Sequence, residues 1–396
     1  MRGFLQWAGL ALLGPAAYAQ GQVSGKVLDK QTHQPVPYAS VAVLGRPAGT
    51  TSNAEGEFVL TLSTLPGKLV VSQLGYGRDT VAVATAGALG PIELVPAPGT
   101  LPTVEMGSYT AELLRKAYRE LQRSYPTKQY GQAFYRQVTY LDGAPIEVQE
   151  MLWHAKANNA GFEGTALRQA RYARQQDALL NYRNFSFFTK DFNIYSTKGD
   201  TARQGAILSP SAAEYYTLKL VGITQSGGQN LAEVAFLGKP DFNPQHVAGS
   251  LVIDTDTYQI LRFQVGIDRQ MHFNNPTFKP KEGRMNYEVV FRPTAAGAVL
   301  DHLTITHNAT MGRLLKSDMQ LKASALAYFY DWQPTPPAGL TYAAPNGKES
   351  DLATVKQAAY DPAFWRANPV VQRTPLEEEV IRTFEQKKSF GTMLTD

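Results

Sequence analysis

The sequence predicts a mainly β protein: an N-terminal antiparallel β-sandwich followed by a larger antiparallel β-meander or half-barrel with a few helices. Three observations point there. Short runs alternate apolar and polar side chains with period two and are separated by turn residues. Twenty Tyr and eighteen Phe are spread along the chain, and aromatic residues favour pleated, half-buried surfaces. No cysteine occurs, so stability must come from core burial rather than disulfides.

Arg2 is the only charge before an apolar stretch over residues 4–13, and Ala17-Tyr18-Ala19 is a small-x-small site that predicts cleavage before Gln20. Residues 1–19 therefore read as a signal peptide, and the protein is expected to be exported: periplasmic, associated with the outer membrane, or secreted. The apolar stretch is shorter than the about 20 residues needed to span a bilayer, and no later stretch is longer, so no transmembrane segment is expected in the mature chain. Without cysteine, a lipid-modified N-terminal Cys is excluded too. Lys and Arg number 38 against 34 Asp and Glu, and the basic residues do not run together. That excludes the clustered basic stripe of a nucleic-acid surface.

The first unit spans residues 20–98. Ser40 and Ala42 share one strand face with Tyr38, while Ala39, Val41 and Val43 share the other. Asn53-Ala54-Glu55-Gly56 is a turn cluster, after which Phe58, Leu60 and Leu62 recur with period two. Runs at 68–74 and 79–84 repeat the pattern, which suits a small antiparallel sandwich. Gly25, Pro35, Ala39, Val41, Gly56, Phe58 and the Gly75-Tyr76 pair stand in the order and spacing of the carboxypeptidase-regulatory-like domain, and this stretch resembles that family of the bacterial cell envelope. The resemblance implies a prealbumin-type sandwich without catalytic residues. Gly56 supplies a backbone conformation that side chains resist, and Phe58 is expected to point inward.

Residues 99–107 read as a Pro- and Gly-rich linker, and 108–396 as a helix-capped antiparallel β unit with a C-terminal helix. Leu113, Leu114, Ala117, Tyr118 and Leu121 form the apolar stripe of a helix over 108–124, capped by Ser108 or Thr110 and stopped by Tyr125-Pro126. Strands are predicted from Ala133 and over 145–157. Here Tyr125-Pro126, Phe134-Tyr135-Arg136-Gln137 and the strand carrying Glu147 and Glu150 resemble the periplasmic part of exported proteins with a regulatory-like domain. Gln137 departs from that pattern, which favours Glu, and the chain ends too soon for the outer-membrane barrel of some relatives. The polar segment 168–181 reads as a helix, and 182–195 as an aromatic excursion over one side of the sheet. Hairpins follow at 215–237, 249–267 and 285–308, then a long strand over 317–332. Gly249-Ser250-Leu251-Val252-Ile253-Asp254 with Tyr258-Gln259-Ile260 is similar to the hairpins of lipoprotein-carrier-like half-barrels. Thr374-Pro375-Leu376-Glu377 is a capping box that opens the final helix.

No catalytic residue, metal ligand or cofactor site emerges. No zinc-peptidase His pair, nucleophile elbow or Ser-x-x-Lys pair occurs, and the Gly-Lys pairs at Gly25, Gly67, Gly238 and Gly347 lack the Ser or Thr of a phosphate loop. His302 and His307 have opposite strand parity, as do Glu147 and Glu150, so neither pair is expected to converge. Asp254 and Asp256 suit a hairpin tip. The surplus is aromatic: Tyr182, Phe185, Phe188, Tyr195, Tyr330 and Trp332 line either a large core or a groove for a glycan, peptide or lipid. The expectation is a non-enzymatic envelope protein acting in binding, transport or surface assembly, with an envelope protein or such a ligand as partner. The alternatives are a lipid or lipoprotein carrier with an apolar cavity, and a hydrolase with an unrecognised site.

Overall fold

The computed structural model describes residues 21–392 apart from 47, 98, 101–105, 176–181, 183, 196–206, 227, 243–245, 270–277, 314–315 and 368–369. The signal-peptide segment 1–19 lies outside the described residues, as does most of the linker. Among the described residues no helix is long and apolar enough to cross a membrane.

The sandwich forms because its strands alternate. Strands β1 (Gly21–Asp29), β4 (Glu57–Leu62), β7 (Gly87–Ala88) and β8 (Ile92–Leu94) make one sheet; β2 (Ser40–Val43), β3 (Gly49–Thr51), β5 (Gly67–Ser72) and β6 (Asp79–Val83) make the other. Val23 and Val27, Phe58, Leu60 and Leu62, and Leu69 and Val71 point between the sheets and are buried. Two of the family-type glycines have steric reasons. Gly25 lies opposite Phe58, and a Cβ there would sit 2.8 Å from its ring. Gly56 has φ +74°, and a Cβ there would meet the Val27 carbonyl oxygen at 2.4 Å. The sandwich is not wholly antiparallel: β7 and β8 run parallel to β1. They arrive by crossing over from β6 in the opposite sheet, not through a hairpin.

The larger unit is one open antiparallel sheet. Two meanders meet in its middle: β12 (Gly161–Arg174), β11 (Ala144–Asn158) and β10 (Gln129–Leu141) on one side, and β19 (Lys316–Gln333), β18 (Val299–Arg313), β17 (Phe278–Arg292), β16 (Ile260–Asp268), β15 (Ala248–Asp254), β14 (Gln229–Gly238) and β13 (Tyr216–Ser226) on the other. The joint is the β10–β19 ladder, and the two-residue β9 (Gly99–Thr100) borders β13. Helix α1 (Met106–Ser124) lays Leu113, Leu114, Ala117, Tyr118 and Leu121 onto one face, in one core with Ala133, Tyr135, Met151, Trp153, Leu303 and Ile305. We call this the helix face; short helices α2 (Ser186–Asp191), α3 (Ala212–Tyr215) and α4 (Asp351–Val355) add Phe188, Ala212 and Val355 to its core.

The other face is covered by two separate parts of the chain. At one end Leu74 of the sandwich packs on Leu231, Val252 and Leu261. At the other end lie α5 (Pro362–Ala367), α6 (Pro375–Gln386) and α7 (Ser389–Thr392). They bury Trp365, Val380, Ile381, Phe384 and Phe390 against Phe134, Val138, Val148 and Leu152.

Two expectations are corrected. Residues 168–174 are strand, not helix, because the arginine that makes them look solvated, Arg171, is wholly buried and ion-paired. Helix α1 starts at Met106, which puts Ser108 and Thr110 inside the helix and not at its cap. The capping box at Thr374 forms as expected: its hydroxyl accepts from the Glu377 amide while the Glu377 carboxylate accepts from the Thr374 amide.

Candidate binding site

The six aromatic residues singled out in the sequence do not line a common groove. Tyr182, Phe185 and Phe188 are buried on the helix face around α2 (Ser186–Asp191), and half-buried Tyr195 stacks edge-on against Tyr118 and Tyr125. Tyr330 lies on the opposite face, stacked on Tyr328. An irregularity between Tyr330 and Gln333, where Asp331 takes φ +50°, turns Trp332 back to the helix face. The aromatic surplus is spent mainly on core.

The two histidines and two glutamates separate by face, as their parity requires. On the helix face Tyr182 hydrogen-bonds His307 Nδ1, and His307 Nε2 lies 3.3 Å from the Arg269 carbonyl oxygen. Nε2–H then donates and Nδ1 accepts, a neutral imidazole. On the opposite face His302 donates through Nδ1 to Asp301 at 2.7 Å, and its ring approaches Tyr38 of the sandwich at 5.6 Å. Glu147 is buried on the helix face, accepting from Tyr172 at 2.6 Å and Thr139 at 2.9 Å. Burial pushes its carboxyl up to about 7 despite those bonds. Glu150, three residues on, accepts from Arg136 at 2.7 Å and from Arg171 on the other face. Burial alone would raise it, but Arg171 and Arg136 outweigh burial and hold it at about 2. Arg136 and Arg171 reach on to Glu377 and Glu385 of α6. This ionic cluster fastens the C-terminal helices to the sheet.

Beside that cluster lies a cleft of about 500 Å³ between the sandwich and the sheet. Its floor is Val138 and Tyr140 of β10 with Lys322, Ser324 and Leu326 of β19. One wall is Tyr38 with the turn at residues 53–55, and the other is the C-terminal segment carrying Val371, Thr374 and Glu377. Arg136 closes the inner end, matched by Glu150 and Glu377. Burial, with Glu377 nearby, pushes the hydroxyls of Tyr38 and Tyr140 up to about 12, so both remain protonated donors. Glu55 carries an unsatisfied atom: its Oε2 is buried with no hydrogen-bond partner among the described residues, and burial raises its carboxyl. A floor of mixed apolar and polar side chains, phenolic donors and an unsatisfied acceptor are the makings of a ligand site.

The sandwich, the open sheet with its helix and the cleft between them describe a protein of two β units with a shared hollow. Residues 23–94 match the family model described as CarboxypepD_reg-like domain, so the first unit is a sandwich of that type. No curated protein matches the chain. Among solved structures, a DUF1329 family protein from Desulfovibrio piger is similar at 9% identity and TM-score 0.24, over 59% of this chain and 95% of that one. A LolA superfamily protein from Nitrosomonas europaea gives 10% identity and TM-score 0.22, over 57% and 93%. A protein of unknown function from Bacteroides fragilis, described as membrane-associated, gives 11% and 0.16, over 80% and 99%. At scores this low, the reading of the larger unit rests on its own strand order and helix placement.

Proposed function

We propose that this chain is a non-catalytic binding protein of the bacterial cell envelope that takes its ligand in the cleft between the sandwich and the sheet. The observation that carries the reading is the cleft itself. Three stretches distant in sequence wall it, Arg136 and Glu377 are ion-paired at its inner end, and Glu55 Oε2 is buried with no hydrogen-bond partner among the described residues. Paired ions and protonated phenols suit holding a ligand more than moving protons. Export is supported by the signal-like residues 1–19 and by the domain type of residues 23–94. Sequencing the N-terminus of the chain recovered from its native envelope should return Gln20 as the first residue.

The ligand reading is tested with Ser324→Trp, which fills the floor of the cleft from an intermediate position. Full-length mature protein is incubated with fractionated envelope extract and examined by native mass spectrometry. An adduct on wild type that is absent from S324W and kept by Tyr195→Ala supports the cleft. The reverse pattern would move the site to the helix face. That outcome favours the second reading, a lipid or lipoprotein carrier, whose support is the open sheet with α1 packed against it. Turnover of simple ester, peptide or glycoside substrates by wild type would overturn the non-catalytic part.

A further inference from the structure

We infer that the ligand of this cleft is a non-helical polypeptide segment, and that residues 370–373 of the chain occupy its seat in cis. The inference rests on the cleft reading and adds the ligand's class. Three side chains from two different units donate to three backbone carbonyls of that strap. Thr50 Oγ1 reaches Val370 at 2.8 Å, Arg136 Nη2 reaches Val371 at 3.1 Å, and Asn53 Nδ2 reaches Arg373 at 3.1 Å. Donors aimed at carbonyls read a peptide backbone whatever its sequence, as side-chain pockets alone do not.

The donors are also held by groups outside the strap. Thr50, Asn53 and Arg136 are 1%, 2% and 5% exposed. Asn53 Oδ1 accepts from the Glu55 and Glu57 amides, which orients its amide group toward the strap. Glu150 and Glu377 clamp the guanidinium of Arg136. Between the donors, the side chain of Val371 enters an apolar socket of Phe134, Leu152, Tyr328 and Trp365. Donors to carbonyls alternating with an apolar socket suit a peptide; a glycan offers no apolar side chain and a lipid no series of carbonyls at residue spacing.

The seat is also larger than its occupant. The strap divides it into the 500 Å³ cleft and a second hollow of about 360 Å³, both bordered by Arg136, Val371 and Gln372. Among the described residues, Glu55 Oε2 in the first lacks a donor and Trp365 Nε1 in the wall of the second lacks an acceptor. A peptide longer or bulkier than the strap can reach groups the strap leaves unsatisfied. Because the strap is tethered, it competes at high effective concentration, and a peptide in trans binds weakly until the strap is loosened.

The probe is a fluorescein-labelled synthetic peptide copying residues 366–378, titrated by anisotropy against the full mature chain. Val371→Gly in the protein empties the socket and frees the strap, and should tighten peptide binding about tenfold or more. The same change in the peptide should weaken binding by a similar factor. Equal affinities for both proteins, or for both peptides, would overturn the inference. Should V371G misfold by circular dichroism, Thr50→Cys with Val370→Cys supplies the same test in a chain that has no other cysteine. The reduced form should bind the peptide at least about tenfold more tightly than the cross-linked one, and equal binding again overturns it. An extract adduct that depends on Ser324, without any peptide binding, removes the peptide class and leaves the cleft; loss of both removes the cleft reading as well.

Discussion

At the scale of single residues, Glu147 and Glu150 make opposite demands on pH although they share one strand. Glu147 sits among Tyr172, Thr139 and Gln137 with Arg174 opposite it on β12, and burial outweighs these bonds and that charge. Its folded-state carboxyl titrates near 7, above the usual carboxylate range. A raised carboxyl stabilises the fold while protonated, so its contribution is complete below about pH 4.5 and is lost as pH rises through 7. The displacement corresponds to roughly 3 kcal/mol. Glu147→Gln keeps the shape and removes the titration. The variant should melt close to wild type at pH 5 and distinctly above it at pH 8, read by thermal denaturation at the two pH values. A pH-independent difference would show that Glu147 is charged in the fold. Glu150 works in the other direction. Held at about 2 by Arg171 and Arg136, it stabilises above the unfolded carboxylate range and loses that contribution as pH falls through 2. Removing it with Glu150→Ala leaves two buried guanidinium groups facing each other, a loss of about 3–5 kcal/mol by analogy with other broken buried pairs. Urea denaturation at pH 7 measures it.

At the scale of elements, the legible parts were those whose pattern is local. The hairpins between β13 and β19, the stripe of α1 and the Thr374 capping box each carry their signal within a few residues. Thr374→Ala should therefore cost about 1 kcal/mol, seen as a lower melting temperature, and by freeing the end of the strap it should also speed amide exchange at residues 370–373. Strand β12 was not legible, because its buried Arg171 answers to Glu150 on the next strand and to Glu385, more than two hundred residues away. The Arg136–Glu150 pair shows why the site stayed hidden. The tight turn at Asp142 and Gly143 sets Leu141 opposite Ala144, a register that on its own would place Arg136 across from Gln149. An irregularity between Thr139 and Tyr140 shifts the ladder by one and brings Arg136 opposite Glu150. Nothing in the local sequence announces that extra residue, and without it neither the ionic cluster nor the inner end of the cleft can be drawn.

At the scale of the molecule, the cleft exists only while the sandwich stays on the sheet, so the strength of that contact can be argued. The sandwich has a closed core of its own around Val27, Val41, Phe58 and Val71, and an autonomous unit of this kind can melt by itself. What ties it down is the Leu74 patch on Leu231, Val252 and Leu261, the Tyr38–His302 contact, and the Thr50 and Asn53 bonds to the strap. Each hydrogen bond is worth about 1 kcal/mol and burial of one leucine about 2. Together they amount to a few kcal/mol, a large fraction of the roughly 5–15 kcal/mol that stabilises a typical domain. Coupling of that size should merge the two unfolding transitions in wild type. Tryptophan provides a clean separation of signals: Trp153, Trp332 and Trp365 all lie in the larger unit, and residues 20–98 contain none. Tryptophan fluorescence and far-ultraviolet circular dichroism should therefore give one coincident thermal transition for the mature wild type. Leu74→Asp places a carboxylate on the apolar patch and should split them, the dichroism beginning to change while the tryptophan signal is still native. If the two probes already diverge in wild type, the sandwich is held by less than this sum, and the cleft is a hinge whose width varies with the docking of the first unit.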